Sequence, residues 1–295
     1  MTVLSLHSLF TDQNEALKFA SDNNLLYNDG ECEKCHHTYQ FYQDSSSKTG
    51  VILKCYNCKN KKSVFYQSIF TRSKIPITKV LHIIYCWSME YTRDQTVHET
   101  NVCPDTVTNY FQACRQACVE WYYTEGQNPI GGQGKTVEID ETLMSTRKNH
   151  CGRVLSQQWL FGGVCRETRE KFIIAVPDRT ANTLIPLIQR HISPNSQINS
   201  DCWKAYNTLD TLPQNYVHDE VNHSKNFVNP ITKAHTQTVE RMWRSVKRVK
   251  RRSEGLHNKD IQDHVAVYLW RDHFHVNHEN GFMMIIKLIG ETFYE

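Results

Sequence analysis

Three carboxylates stand in unlike surroundings: Asp140 in Thr136-Val-Glu-Ile-Asp140, Asp201 in Ile198-Asn-Ser-Asp201, and Glu240 in His235-Thr-Gln-Thr-Val-Glu240. The first two close short strand-like runs; the third sits on a basic helix. Oxygen donors brought together from strand ends and a facing helix bind hard divalent cations such as Mg²⁺. Each acid also has an ordinary reading: Asp140 capping a turn, Asp201 capping the helix that begins at Trp203, Glu240 solvated on a helix face. Taken together in this order they point to metal-dependent phosphoryl transfer. Glu138 and Glu141 flank Asp140, and strand alternation is expected to turn both to the opposite face, away from the ligand set.

A second set is Cys32-Glu-Lys-Cys35, then nineteen residues, then Cys55-Tyr-Asn-Cys58. Each C-x-x-C offers two thiolates from one tight knuckle, and a hairpin between them closes a tetrahedral four-cysteine zinc site. Four protein ligands leave no open position, so this zinc is structural. His36 and His37 are the possible substitute ligands.

The formal net charge of +3 is only mildly basic and predicts no nucleic-acid partner by itself. Its distribution says more: Arg241, Arg244, Lys247, Arg248, Lys250, Arg251 and Arg252 follow Glu240 with no acid among them. Such a run is either a solvated helix face or a phosphate-backbone contact, and beside a metal site the contact is favoured. Apolar stretches such as Phe172-Ile-Ile-Ala-Val176 are too short to cross a bilayer, and the N-terminus lacks a basic region followed by an apolar core. Neither a membrane span nor secretion is expected. Of eleven cysteines, seven lie outside the knuckles (Cys86, Cys103, Cys114, Cys118, Cys151, Cys165, Cys202) and are expected to be buried small hydrophobes in a reducing compartment.

The elements that must position these groups follow from periodicity and caps. Asp12-Gln-Asn-Glu15 predicts a capped helix ending near Asn23. Residues 76–123 read as helical: a short helix from Thr92, a turn around 101–104, and a longer helix with Pro104 in its first turn, a helix-turn-helix-like order. Thr106, Thr108 and Asn109 would then face a DNA groove. Gln127-Asn-Pro-Ile-Gly-Gly-Gln-Gly134 reads as a glycine-rich linker and domain boundary. Beyond it, residues 136–141, 157–165 and 171–176 read as three successive antiparallel strands, 180–191 as a helix, and 197–200 as a short strand delivering Asp201. Glu240 opens a long helix through Lys250. The expected fold class is therefore α/β, an RNase H-like core behind a zinc ribbon and a helical region. The domains are 1–70, 71–126 and 127–295.

At this point the segments themselves are familiar. Gly131-Gly-Gln-Gly-Lys-Thr-Val-Glu-Ile-Asp-Glu141, Gln158-Trp-Leu-Phe-Gly-Gly163, Ser200-Asp-Cys-Trp-Lys-Ala-Tyr206, Val221-Asn-His-Ser224 and His235-Thr-Gln-Thr-Val-Glu240 resemble the Merlin superfamily of DNA transposases, with its ISXO2-like transposase domain and its bacterial insertion-sequence relatives. The resemblance covers almost the whole chain. It implies a DDE transposase with Asp140, Asp201 and Glu240 as catalytic, metal-holding residues. Lys247 matches the basic residue that follows the glutamate; seven positions are about 700° of helix, so it lies on the Glu240 face about 10.5 Å along.

The implied activity binds transposon terminal inverted repeats, cuts phosphodiester bonds with two Mg²⁺ or Mn²⁺ ions, and joins the 3′-hydroxyl end to target DNA. Asp140 would bridge both ions. The partners are double-stranded DNA and further copies of the chain in a synaptic complex, in the nucleus of a eukaryotic host or otherwise in the cytoplasm. Arg244, Lys247, Arg248 and Arg251 would contact DNA. A domesticated DNA-binding protein without transposition activity, and a plain structure-selective nuclease, are the competing readings. His223 and His235 are divided between orienting a phosphate or water and pinning a loop, whereas Trp203, Tyr206 and Trp243 are read as core or interface aromatics.

Overall fold

A computed structural model describes residues 4–26, 30–47, 50–66, 71, 73, 75–144, 158–221, 235–252 and 261–292, with backbone alone at 249–252. In chain order its helices are α1 (His7–Thr11), α2 (Gln13–Asp22), α3 (Ile77–Ser88), α4 (Arg93–Thr100), α5 (Pro104–Thr124), α6 (Ala181–His191), α7 (Gln237–Arg252), α8 (Ile261–His273) and α9 (Gly281–Thr292). The strands are β1 (Tyr39–Gln43), β2 (Val51–Cys55), β3 (Lys61–Ser63), β4 (Ile130–Gly131), β5 (Thr136–Leu143), β6 (Trp159–Cys165), β7 (Lys171–Val176), β8 (Ile192–Ser193), β9 (Gln197–Asp201) and β10 (Val217–Val221). They form two compact units, residues 1–121 with 275–295, and residues 122–274.

In the first unit α3 is buried on nearly every side, including Ile77, Val80, Leu81, Ile83, Ile84 and Trp87. A helix apolar all round needs neighbours all round, and α1, α2, α4 and α9 pack against it. Asp12 caps α2 by accepting from the Asn14 and Glu15 amides, as its sequence implies. Gly290 admits α9 to the end of α2, since a Cβ there would stand 2.3 Å from the Asn23 carbonyl oxygen. The strands β1, β2 and β3 make a small antiparallel sheet. Thr92 and Gln95 form a reciprocal capping box on α4, Asn101 ends that helix in the left-handed region, and Pro104 begins α5 where a missing N–H costs nothing. This is the helix, turn and longer helix expected over 92–111.

The second unit is a five-stranded sheet in the order β10-β9-β5-β6-β7. The pairs β5–β6 and β6–β7 are antiparallel, as expected from three successive strand runs, while β9 lies parallel to β5 on its other side. The sequence reading missed β10, which extends the sheet parallel to β9. On one face Val137, Ile139, Phe161, Phe172 and Ile198 join Leu184 and Ile188 of α6 in the core. On the other, α7 packs across β5 and β6 and α8 across β7. The glycine-rich stretch is no free linker: β4 pairs with β8, and the Gly132 amide donates to Ser196 Oγ at 2.7 Å. Gly131, at φ 89°, could carry no side chain, because a Cβ would meet Ser196 Oγ at 2.5 Å.

Candidate active site

The strand pairing brings Asp140 and Asp201 to one edge of the sheet. The last registered pair of the parallel β5–β9 ladder is Glu138 with Asn199, and Asp140 and Asp201 stand two residues further along each strand. Asp201 Oδ1 accepts the Trp203 amide at 3.1 Å, so it does cap the turn beyond it. Glu240 lies in the first turn of α7, where Thr236 Oγ1 donates to its Oε1 at 3.4 Å. Three residues on, the Trp243 indole N–H donates to Asp140 Oδ2 at 3.1 Å, tying the helix that carries one acid to the strand that carries another. Glycine makes this possible. Gly162 sits opposite Asp140 across β5–β6, and a Cβ there would meet the Trp243 ring at 2.8 Å.

The position of Glu138 corrects the expectation from alternation. Two residues from Asp140 in a strand of period two, it shares the Asp140 face and points to α7; Glu141 alone turns to the other face. Glu138 is fully buried, and its Oε2 accepts the Thr238 and Val239 amides at 2.7 and 3.0 Å, capping the N-terminus of α7. Arg166 Nε donates to Glu138 Oε1 at 2.6 Å and its terminal nitrogen to the His235 carbonyl at 2.7 Å. A buried carboxylate held by an arginine and two helix N-terminal amides is stable only as a complete set. It starts α7 at Gln237, nearly a turn before the expected Glu240.

Asp140 and Glu141 are held differently. Burial first, then the charges of Glu141 and Asp201, push the Asp140 carboxyl up to about 7, against the pull of the Trp243 N–H. Burial likewise raises Glu141 to about 7, despite a short hydrogen bond from the Tyr206 hydroxyl. Crowded acids with raised proton affinity are groups on which a divalent cation can replace protons; among the described residues the four cysteines alone are already gathered as a set of metal ligands.

Residues 129–277, half of the chain, match the ISXO2-like transposase domain family. The chain belongs to that family. An uncharacterized transposase-like protein of Haemophilus influenzae is 23% identical over 100 residues, covering 34% of this chain and 78% of that one. Two solved structures are also similar. A chain of a simian T-cell lymphotropic virus intasome in complex with PP2A regulatory subunit B56 gamma has a TM-score of 0.32 at 16% identity, over 61% of this chain and 68% of that one. A chain of a pre-cleavage Mos1 transpososome scores 0.20 at 10% identity, over 69% and 75%. Both likenesses are too slight to bear on fold or function. Membership of the ISXO2-like transposase family carries a transposase-type function and divalent metal use with it.

The four knuckle cysteines of this ISXO2-like transposase come together: their sulfurs all lie within 4.8 Å of one another, with Cys32–Cys58 at 3.3 Å and Cys35–Cys55 at 3.4 Å. Tetrahedral zinc with bonds of about 2.3 Å needs sulfurs about 3.8 Å apart, so the set fits the ion after small shifts of the sulfurs. The His37 backbone N–H, foremost among several hydrogen bonds, pulls the Cys35 thiol down to about 5 and readies a thiolate. His36 and His37 stand outside the cluster and are exposed.

The other predicted positions are dispersed. Arg244, Lys247 and Arg248 are exposed on α7, opposite its buried Val239, Met242, Trp243 and Val246; the Arg251 side chain and His223 lie outside the described residues. His235 is half-buried, its Nδ1 3.2 Å from Glu138 Oε1 without hydrogen-bond geometry. In the first unit, Asn109 and Thr108 are exposed on α5, although the Thr108 hydroxyl donates back to the Pro104 carbonyl at 2.9 Å. Thr106 is half-buried with its hydroxyl 3.0 Å from Cys103 Sγ. Among the non-knuckle cysteines Cys86, Cys114, Cys118 and Cys165 are buried, but Cys103 and Cys202 are exposed because each falls in a turn; Cys151 lies outside the described residues. Among the described residues no helix is long and apolar enough to cross a membrane. Sequence reasoning missed Glu138 and Arg166 as the clamp on α7. It missed the polar ends of Trp243 and Tyr206 as well: their burial was expected, but not that each aims a donor at an acid.

Proposed function

We propose that this chain is a DDE transposase with an RNase H-like catalytic domain, which cuts DNA at the ends of its element and joins the freed 3′-hydroxyl to target DNA. The observation that carries this reading is the meeting of β5, β9 and α7: Asp140 and Asp201 at adjacent parallel strand ends, with the Glu240 helix bonded to Asp140 through Trp243. The strand order, with one antiparallel hairpin partner on each side of β6 and parallel strands beyond β5, supports the fold assignment. Asp140, Asp201 and Glu240 would hold two Mg²⁺ or Mn²⁺ ions, which when bound neutralise phosphate charge and lower the pKa of attacking water.

The chain's own residues do the positioning. Glu138 and Arg166 fix where α7 begins, Trp243 orients Asp140, and the exposed Lys247 two turns beyond Glu240 offers a cation to a phosphate. The zinc ribbon and α4–α5, with Thr106, Thr108 and Asn109, would read double-stranded terminal repeats, and further copies of the chain would complete the synaptic complex. We keep 1–70, 71–126 and 127–295 as the ribbon, reader and catalytic modules. The test is cleavage and strand transfer of a labelled duplex bearing the inverted repeat that flanks the coding region. Wild-type protein should cut in Mg²⁺, and Asp140→Asn, Asp201→Asn and Glu240→Gln should not. A wild-type protein that binds the repeat without cutting it would establish a domesticated binding protein instead.

A further inference from the structure

Beyond the acids, the same edge of the sheet carries an arginine built into a slot. Arg179, three residues past the end of β7, lies between two indoles, its guanidinium carbon 4.4 Å from the Trp159 ring centre and 4.1 Å from that of Trp203. Trp159 opens β6 directly opposite Val176, and Trp203 follows Asp201 by two residues, so both rings belong to the edge where the acids stand. The backbone is locked too, because the Trp203 indole N–H donates to the Arg179 carbonyl at 2.9 Å while the Trp203 amide donates to Asp201. One residue therefore touches both, its ring and indole N–H on the arginine and its backbone amide on a candidate ligand.

The guanidinium itself is unspent. A flat cation covered on both faces by aromatic rings still has its in-plane N–H fork, the geometry that recognises phosphate. Among the described residues that fork donates to no protein acceptor. The acid next to it in sequence is engaged elsewhere: Asp178 Oδ1 accepts from the Thr180 amide and hydroxyl at 2.9 and 2.7 Å and from the Thr183 hydroxyl at 2.7 Å, at the start of α6. A merely structural arginine would be expected to take such a neighbour. Instead both indoles hold it half-buried, near enough to Glu141 to draw that carboxyl's pKa down but hydrogen-bonded to no acceptor among the described residues.

We infer that Arg179, held between Trp159 and Trp203, is a phosphate clamp that grips a backbone phosphate of the DNA strand next to the one being cut. This rests on the DNA-cutting function proposed above and adds a site to it. Because the clamp is stiff before DNA arrives, it fixes strand register at small entropic cost.

The experiment measures binding of a fluorescent duplex bearing the flanking inverted repeat, in which phosphates near the expected cut are replaced one at a time by neutral methylphosphonate. All proteins carry Asp140→Asn to prevent cutting, and Arg179 is compared with Arg179→Met, which fills the slot without charge, and Arg179→Lys, which keeps charge without the flat fork. With arginine present, one methylphosphonate position should weaken binding about tenfold. Arg179→Met should bind the natural duplex about tenfold more weakly, lose nothing further at that position, and lower the salt slope by about 0.9. Arg179→Lys should fall between the two. If Arg179→Met shows the same methylphosphonate profile as arginine, or loses affinity equally at every position, the clamp is overturned and the arginine only packs. Cutting by the Asp140→Asn background would refute the catalytic assignment instead, so the two failures are separable.

Discussion

The cysteine site and the proposed acid site of this chain are built on opposite principles. The cysteine site comes from two knuckles on one small sheet, and its sulfurs already lie within 4.8 Å of one another. The acid site gathers its side chains from β5, β9 and α7, across as many as 103 residues between Asp140 and Trp243. Thiols are neutral when protonated and can crowd without cost, whereas carboxylates repel, so a carboxylate site must be propped open by its scaffold until a cation arrives. On the proposed reading, zinc at the cysteines would be part of folding, and a hard metal at the acids would be added to a fold that stands without it. The largest expected effect tests this contrast. Chelation, or Cys55→Ser, should release zinc and expose residues 30–66 to protease, since structural zinc contributes on the order of 10 kcal/mol in small domains, while 122–274 stays resistant. Equal loss of protection in both regions would dissolve the distinction.

If the acid site is propped by its scaffold, removing the prop should cost more than removing an acid. Glu138→Ala leaves Arg166 without its buried partner and two α7 amides without an acceptor, and breaking such a set costs about 3–5 kcal/mol. Glu138→Gln, which keeps an acceptor for the amides, should recover part of the melting temperature. Asp140→Asn should melt no lower than wild type in metal-free buffer, because it removes a charge that burial and neighbouring acids disfavour. Calorimetry of the three variants decides it: an Asp140→Asn protein as unstable as Glu138→Ala would show that the acid props the fold as well.

How much of this was readable beforehand depended on how local each signal is. The knuckle cysteines, the strands β5 to β7 and the Thr92 and Pro104 boundaries rest on neighbours a few residues apart, and they fell where expected. The strand β10 did not announce itself, because Val217-His-Asp-Glu-Val221 is polar, exposed at one end, and paired to a strand twenty residues earlier. Glu138 was misplaced by a slip of parity: residues two apart share a strand face. The donors of Trp243 and Tyr206 were hidden because an aromatic in a helix or loop is legible as core, while the direction of its polar atom depends on tertiary packing. Gly162 could have been the clue, since a glycine inside an apolar strand marks close approach from another element.

A smaller effect concerns protons and metal together. The Asp140 and Glu141 carboxyls titrate at about 7 in the folded chain, above ordinary values of 3.8 and 4.5. The native state therefore holds more protons than the unfolded one between about pH 4 and 7, and metal-free stability should fall as pH rises through that window and then level. A divalent ion takes the place of those protons. Mg²⁺ or the inert Ca²⁺ should thus raise the melting temperature more at pH 8 than at pH 5, with about 2.7 kcal/mol of protection at a hundredfold excess over Kd. The zinc-dependent protection of residues 30–66 should not follow that acid window. Metal protection that is flat from pH 5 to 8 would mean the acids bind no cation.

The smallest change separates orientation from charge within the acid site. Trp243→Phe deletes the indole N–H that reaches Asp140, together with the ring edge over Gly162, a packing loss that does not depend on pH. One neutral-to-charged hydrogen bond contributes about 1.5–3 kcal/mol when its acceptor is ionised, and less when it is protonated. The loss should therefore be larger at pH 8 than at pH 5. The Asp140 carboxyl should titrate higher still, because this N–H is among the few influences pulling it down, and the acid limb of metal-dependent cleavage should move to higher pH. A packing role alone would lower stability equally at both pH values and leave that limb in place. Measuring melting and cleavage against pH in the same variant therefore shows whether α7 contributes to the acids only the Glu240 it carries or also the protonation state of its neighbour on β5.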